Sequence, residues 1–124
     1  EEAARFVEET GVDCLAIAIG TAHGAYSGTP YIDFERLAQI REKVSIPLVM
    51  HGGSGTGEEN LYKAARSGIS KVNLYTDLST AGMEALRAKG IETNDISDVE
   101  IIMYKAFREK LEFYMELLGS KDQA

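Results

Sequence analysis

The sequence predicts a right-handed β/α architecture on a parallel sheet, and two observations carry it. Helical and strand-like segments alternate along the chain. The first strand-like segment, Cys14-Leu15-Ala16-Ile17-Ala18-Ile19, is a continuous apolar run without the in-and-out alternation of a half-exposed strand, as expected where both faces are covered.

The elements follow in order. Glu2 to Thr10 sets Ala3, Phe6 and Val7 on one face at helical spacing, and Gly11 supplies a stop. The apolar run then gives the first strand, with Cys14 as a small core residue. Gly20 to Ile32, with its glycines, Pro30 and small polar residues, predicts a long loop. Asp33 caps a helix whose Phe34, Leu37, Ile40 and Val44 share a face. Pro47 to Met50 is a second strand. The cluster Gly52-Gly53-Ser54-Gly55-Thr56-Gly57 leads into a helix from about Glu58, with Leu61, Ala64 and Ala65 inward and Gly68 at its end. Lys71 to Tyr75 is a third strand, and a helix from Leu78 to Lys89 stops at Gly90. Ser97-Asp98-Val99-Glu100 has the form of a capping box. It opens a long helix with Tyr104, Phe107, Leu111, Tyr114, Met115 and Leu118 as a packing face, subunit contact being the alternative use. Arg108, Glu109, Lys110 and Glu112 form its solvated face, and Ser120 to Ala124 a frayed tail.

Composition excludes several classes. With 13 basic and 20 acidic side chains among 124 residues, the net charge of −7 offers no basic excess for nucleic acid. No apolar run approaches the roughly 20 residues of a membrane span. A single cysteine forms no internal disulfide and favours a reducing, cytoplasmic setting. The chain opens on Glu rather than Met, which suggests a start partway through a longer protein.

In a parallel β/α sheet, chemistry concentrates at the carboxyl edge of the strands, where loops and helix N-termini converge. Both histidines of the chain, His23 and His51, fall at that edge, and each is followed by glycine. They are metal ligands or hydrogen-bonded structural histidines. The glycine cluster lacks the Lys and Ser or Thr of a P-loop, having Glu58 and Glu59 there, and misses the G-x-G-x-x-G spacing by one residue. An anion site built from backbone N–H groups, the Ser54 hydroxyl and the following helix N-terminus remains, as does a plain flexible turn. Asn73 and Thr76 open the loop after the third strand. There they face the same pocket, or Thr76 or Asp77 caps the next helix.

Together, Ala18-Ile19-Gly20-Thr21-Ala22-His23-Gly24 with Pro30 and Ile32-Asp33-Phe34, then His51-Gly52-Gly53-Ser54-Gly55, then Lys71-Val72-Asn73-Leu74-Tyr75-Thr76-Asp77, resemble the class II ketose-bisphosphate aldolases. The resemblance runs over essentially the whole chain. It implies a (β/α)8 TIM barrel, of which residues 1–124 form the C-terminal portion: about three β/α units and the terminal helices. It implies a catalytic divalent ion, usually Zn2+, with His23 and His51 as ligands. Gly24, Gly52, Gly53 and Ser54 would bind the dihydroxyacetone phosphate part, with a monovalent cation, Na+ or K+, near the glycine backbones. Asn73, Leu74, Tyr75 and Thr76 would complete the phosphate site, and Asn73 would also help hold the enediolate oxygen.

The implied reaction is reversible, metal-dependent cleavage of a ketose 1,6-bisphosphate, fructose or tagatose, to dihydroxyacetone phosphate and glyceraldehyde 3-phosphate. The implied assembly is a homo-oligomer, dimer or tetramer, through helices including the last. Tyr75 stands where fructose-specific members typically carry aspartate and tagatose-specific ones alanine, so it assigns neither sugar. A catalytic zinc takes three protein ligands. The third ligand and the acidic residues that move protons would come from upstream strands, so the 124-residue chain alone is expected to be inactive. The alternative is a non-catalytic barrel homologue acting as a phosphosugar-binding or partner subunit.

Overall fold

The computed structural model describes residues 1–24, 26–28 and 30–123. Ala25 and Thr29 of the expected loop, and Ala124 of the expected tail, lie outside the described residues. The chain divides into two compact units, Glu1–Leu74 and Tyr75–Ala124.

The first unit comprises α1 (Glu2–Thr10), β1 (Leu15–Ala16), α2 (Phe34–Lys43), β2 (Leu48–Met50), α3 (Glu58–Arg66) and β3 (Ile69–Val72). The strands are parallel and lie in chain order, β1-β2-β3, as the alternation predicts. Its core gathers Leu48, Val49 and Met50 of the central strand, Leu37 of α2 with Val44 just past its end, Leu61 and Ala64 of α3, and Ile69 of β3. Burying each of the larger aliphatic side chains, leucine, valine, isoleucine and methionine, contributes about 1.5–3 kcal/mol.

Local sequence explains the element ends. The Asp33 carboxylate accepts from the Arg36 N–H at 2.8 Å and caps α2 as expected. Gly11, at φ +64°, closes α1. At the far end of α2, the Arg41 guanidinium donates to the carbonyls of Val44, Ser45 and Ile46, fixing the turn that delivers the chain into β2.

β1 departs from expectation. Only Leu15 and Ala16 are paired as strand, and Cys14, Ala16 and Ala18 are exposed, so Cys14 is not a core residue. Leu15 and Ile17 are half-buried and Ile19 fully buried. The alternation shows one face of this strand uncovered. α1 likewise buries none of its residues, and Phe6 is exposed.

β3 begins two residues earlier than predicted, because Ile69 is the residue that packs beside Leu48. The register then shifts: Leu48 pairs with Ile69 but Val49 with Lys71, leaving Ser70 as an extra residue in a bulge. After the bulge Met50 pairs with Val72, and the Asn73 N–H still reaches the Met50 carbonyl at 3.0 Å.

The second unit packs α4 (Thr76–Lys89) against α5 (Ile96–Leu118). α4 starts two residues before the expected Leu78 and has Tyr75 at its N-cap position, so neither Thr76 nor Asp77 caps it. The capping box at Ser97 is also replaced. Asp95 is the cap of α5, and its carboxylate accepts from both the N–H and the hydroxyl of Ser97, at 2.9 and 2.6 Å. Asp95 wins because it precedes the first helical residue in extended conformation, where a short carboxylate reaches the first free N–H groups. These bonds hold the Asp95 carboxyl below the usual carboxylate range.

Gly82 is buried against Met103, and buried Tyr114 donates its hydroxyl to the Asp77 carboxylate, joining the two helices. Of the α5 stripe, Tyr114 is buried and Phe107 and Leu118 are half-buried, whereas Tyr104, Leu111 and Met115 are exposed. On the face expected to be solvated, Arg108 and Glu112 form an exposed pair at 2.7 Å. Lys110 instead lies over the rings of Phe113 and Tyr114, 4.8 and 5.1 Å from their centres. The tail is tied rather than frayed at its start: the Ser120 N–H meets the Met115 carbonyl at 2.9 Å. Among the described residues no helix is long and apolar enough to cross a membrane.

Candidate functional site

Because the three strands are parallel, their carboxyl ends share one edge. His51 directly follows Met50 at the end of β2, and Asn73 directly follows Val72 at the end of β3. His23 lies in the loop after Ile19. The two imidazoles meet: their ring centres are 5.4 Å apart and their planes cross at 75°. His51 is half-buried and His23 exposed.

Asn73 joins them from the third strand. Its Nδ2 stands 3.4 Å from both ring nitrogens of His51, a long contact. Its Oδ1 accepts from the Lys71 ammonium, which turns the amide so that the NH2 group faces the imidazole.

The glycine loop is a hydrogen-bonded turn. Gly52, at φ +65°, passes so close to the preceding loop that a Cβ there would lie 2.2 Å from the Ala22 carbonyl oxygen. At Gly53 a Cβ would lie 2.5 Å from Val72 Cγ1. The Gly53 N–H donates to the Asn73 carbonyl at 3.0 Å, and the Thr56 N–H to the Gly53 carbonyl at 3.2 Å. The fully buried Thr56 hydroxyl reaches the carbonyls of Gly53 and Gly52. This rules out the flexible turn, and it also trims the expected anion site, since the N–H groups of Gly53 and Thr56 serve the protein itself. Ser54 is buried, and Gly24 is exposed at φ +99°. Leu74 packs toward Gly53. The first unit thus brings together His23, His51, Gly52, Gly53, Ser54 and Asn73. Tyr75 and Thr76 belong to the second unit, with Tyr75 exposed and Thr76 opening α4.

Sequence reasoning missed Tyr26. Its hydroxyl accepts from the Ala22 N–H at 2.7 Å and lies 2.8 Å from the Ala22 carbonyl and 2.9 Å from the Gly52 carbonyl. The only signal was a tyrosine in a loop of mostly small residues, which looks like surface decoration until the loops are seen in contact. Lys71 and Thr56 were equally silent, since a lysine on a strand and a threonine in a turn are ordinary.

Residues 1–123 match the sequence profile of the family described as fructose-bisphosphate aldolase class-II. The chain belongs to the class II fructose-bisphosphate aldolase family. Among solved structures, the YdjI aldolase from Escherichia coli K12 is similar at 36% identity and a TM-score of 0.87, over 99% of this chain and 45% of that one. A candidate fructose-1,6-bisphosphate aldolase from Coccidioides immitis is similar at 27% identity and a TM-score of 0.87, over 98% and 43%. Fructose-bisphosphate aldolase from Campylobacter jejuni, at 21% identity, shares the fold, with a TM-score of 0.80 over 95% and 44%. The chain therefore spans a little under half the length of these aldolases. Its β/α units are, as predicted, a C-terminal part of the aldolase barrel.

The zinc that the resemblance implies sets a geometry for the histidine pair. Two imidazoles bound to one tetrahedral zinc through nitrogens 2.0–2.1 Å from it have ring centres about 5 Å apart. The 5.4 Å seen here fits that arrangement. Among the described residues no group of three or more His, Cys, Asp or Glu that could hold a metal gathers.

Proposed function

We propose that the protein, at its full natural length, is a metal-dependent aldolase that reversibly cleaves a ketose 1,6-bisphosphate to dihydroxyacetone phosphate and glyceraldehyde 3-phosphate. In this reading His23 and His51 hold a zinc ion, and the third ligand and the proton-transfer acids come from barrel strands outside this chain. The observation that carries it is the meeting of two histidines from separate loops at the carboxyl edge, 5.4 Å between ring centres, beside a glycine turn and Asn73.

When bound, zinc supplies Lewis-acid stabilisation of the negative charge that develops on the substrate carbonyl oxygen as the carbon–carbon bond breaks. The chain's own residues bind and orient. The Asn73 NH2 group, held by Lys71, donates toward substrate oxygen at the edge of His51. Gly24, with nothing within 4 Å of where a Cβ would stand, leaves its backbone open to the phosphate-bearing end. Gly52 and Gly53 let the turn close against Ala22 and Val72 beside it, with Ser54 as a polar neighbour and a monovalent cation near the glycine backbones. Placing the reacting carbons this way is itself a large part of the rate. The same reading makes the protein a cytoplasmic homo-oligomer.

The test is metal and turnover measured together on the full-length protein. We expect His51→Ala to lose stoichiometric zinc, and tight zinc retained in that variant would remove His51 as a ligand. Asn73→Ala is expected to lower kcat by roughly 10²–10³-fold with zinc content unchanged, the loss typical of one transition-state donor. The 124-residue chain alone should cleave nothing with zinc added. A full-length protein that binds zinc and sugar phosphate without turnover would support the non-catalytic homologue instead. Fructose and tagatose bisphosphates assayed side by side decide the sugar.

A further inference from the structure

We propose that Tyr26 is a positioning residue that locks the two histidine loops into one metal-binding geometry; this rests on the reading of His23 and His51 as metal ligands. The phenolic oxygen sits between two backbone segments, each adjacent to one histidine. On one side it accepts from the N–H of Ala22, the residue before His23, at 2.7 Å. On the other lies the carbonyl of Gly52, the residue after His51, at 2.9 Å. A phenol carries one proton, so the hydroxyl donates either to that carbonyl or to the Ala22 carbonyl at 2.8 Å, while its lone pair holds the Ala22 N–H throughout.

Two further observations show that the loops are built around this tie. A Cβ at Gly52 would lie 2.2 Å from the Ala22 carbonyl oxygen, so the backbones already touch where the hydroxyl bridges them. A Cβ at Gly55 would lie 3.1 Å from the Tyr26 ring, so the glycine turn also leaves room for the aromatic body. His23 follows a loop without regular structure and is exposed, whereas His51 is set directly by the end of β2. Without the hydroxyl, the Ala22–Gly52 approach and the packing of the ring beside Gly55 are left to set the spacing between the imidazoles. The tie holds the His23 loop in place before metal arrives, so metal binding need not order it.

The experiment compares full-length wild type, Tyr26→Phe and His51→Ala, measuring zinc affinity by competition with a chromogenic chelator, amide exchange at Ala22 and thermal stability. Tyr26→Phe keeps the ring and removes only the hydroxyl. It should weaken zinc binding about three- to tenfold, the range of one lost hydrogen bond, and accelerate exchange of the Ala22 N–H. Wild-type zinc affinity in a folded Tyr26→Phe protein, with His51→Ala unable to hold zinc, overturns the positioning role while leaving the ligand reading intact. Tight zinc in His51→Ala overturns the ligand reading, and the proposal with it. Should Tyr26→Phe melt before it can be titrated, slow Ala22 exchange in wild type supports the tie, and exchange at the unprotected rate refutes it.

Discussion

Gly52 shows how much a missing side chain decides. At φ +65° with a backbone oxygen 2.2 Å from where a Cβ would stand, it meets two separate objections to any other residue. Gly52→Ala should therefore lower stability by about 2 kcal/mol or more, read as a fall in urea midpoint at constant slope. Gly24→Ala is the matched comparison: its φ is +99°, but nothing lies within 4 Å of the added methyl. It should cost about 1 kcal/mol, from backbone strain alone. Equal losses in the two variants would show that the approach of Gly52 to Ala22 carries no weight. The residues that sequence reading singled out here, His23, His51, Gly52, Gly53 and Asn73, were legible because histidine and glycine at strand ends are chemically loud. Tyr26 acts by reaching across to Gly52, and no spacing in the chain records that; Lys71 lies two residues from Asn73, on one face of the chain, but a lysine there carries no mark of its use.

At the scale of elements, α5 begins where a carboxylate can collect free N–H groups. The Asp95 carboxyl is held below its usual range by the Ser97 hydroxyl and N–H, so the charged form is favoured in the fold. The sign follows: its contribution is fully present above the ordinary aspartate value and lost as pH falls through the lower native value. Exchange protection of the Ser97 N–H should therefore persist through mildly acidic pH and fail only below the usual carboxylate range, and Asp95→Ala should remove it at every pH. Protection lost near neutrality would contradict the cap. Both Ser97-Asp98-Val99-Glu100 and Asp95 are sound capping sequences, and the sequence alone leaned to the wrong one. Helix starts, like the two-residue shifts at β3 and α4, depend on where tertiary packing begins, and that is set by partners such as Leu48 beside Ile69. The alternation of elements survived these shifts because it rests on many residues at once.

For the whole molecule, the decisive matter is how the sheet ends. Among the described residues β1 and β3 each pair with β2 alone, so each leaves an unpaired edge, and the Cys14, Ala16, Ala18 side of β1 is exposed. Such edges and uncovered faces invite association. The 124-residue chain purified alone should sediment as mixed oligomers, with a distribution that shifts upward with concentration. A clean monomer at all concentrations would show that this sheet protects its own edges.

The bulge at Ser70 bears on what kinds of change the molecule tolerates. Ser70 is exposed, and Ser70→Ala should pass unnoticed. Deleting it should be almost as mild: Ile69 would lead straight to Lys71, and the pairs Leu48–Ile69, Val49–Lys71 and Met50–Val72 would join into one regular ladder. Adding a residue after Lys71 is another matter, since it would push the chain on by one position, about 3.3 Å, and turn every later side chain to the other face. Val72 would then stand where Asn73 now stands beside His51. Ser70 is thus a silent letter in β3, which can be struck out, whereas a letter inserted after it displaces all that follow.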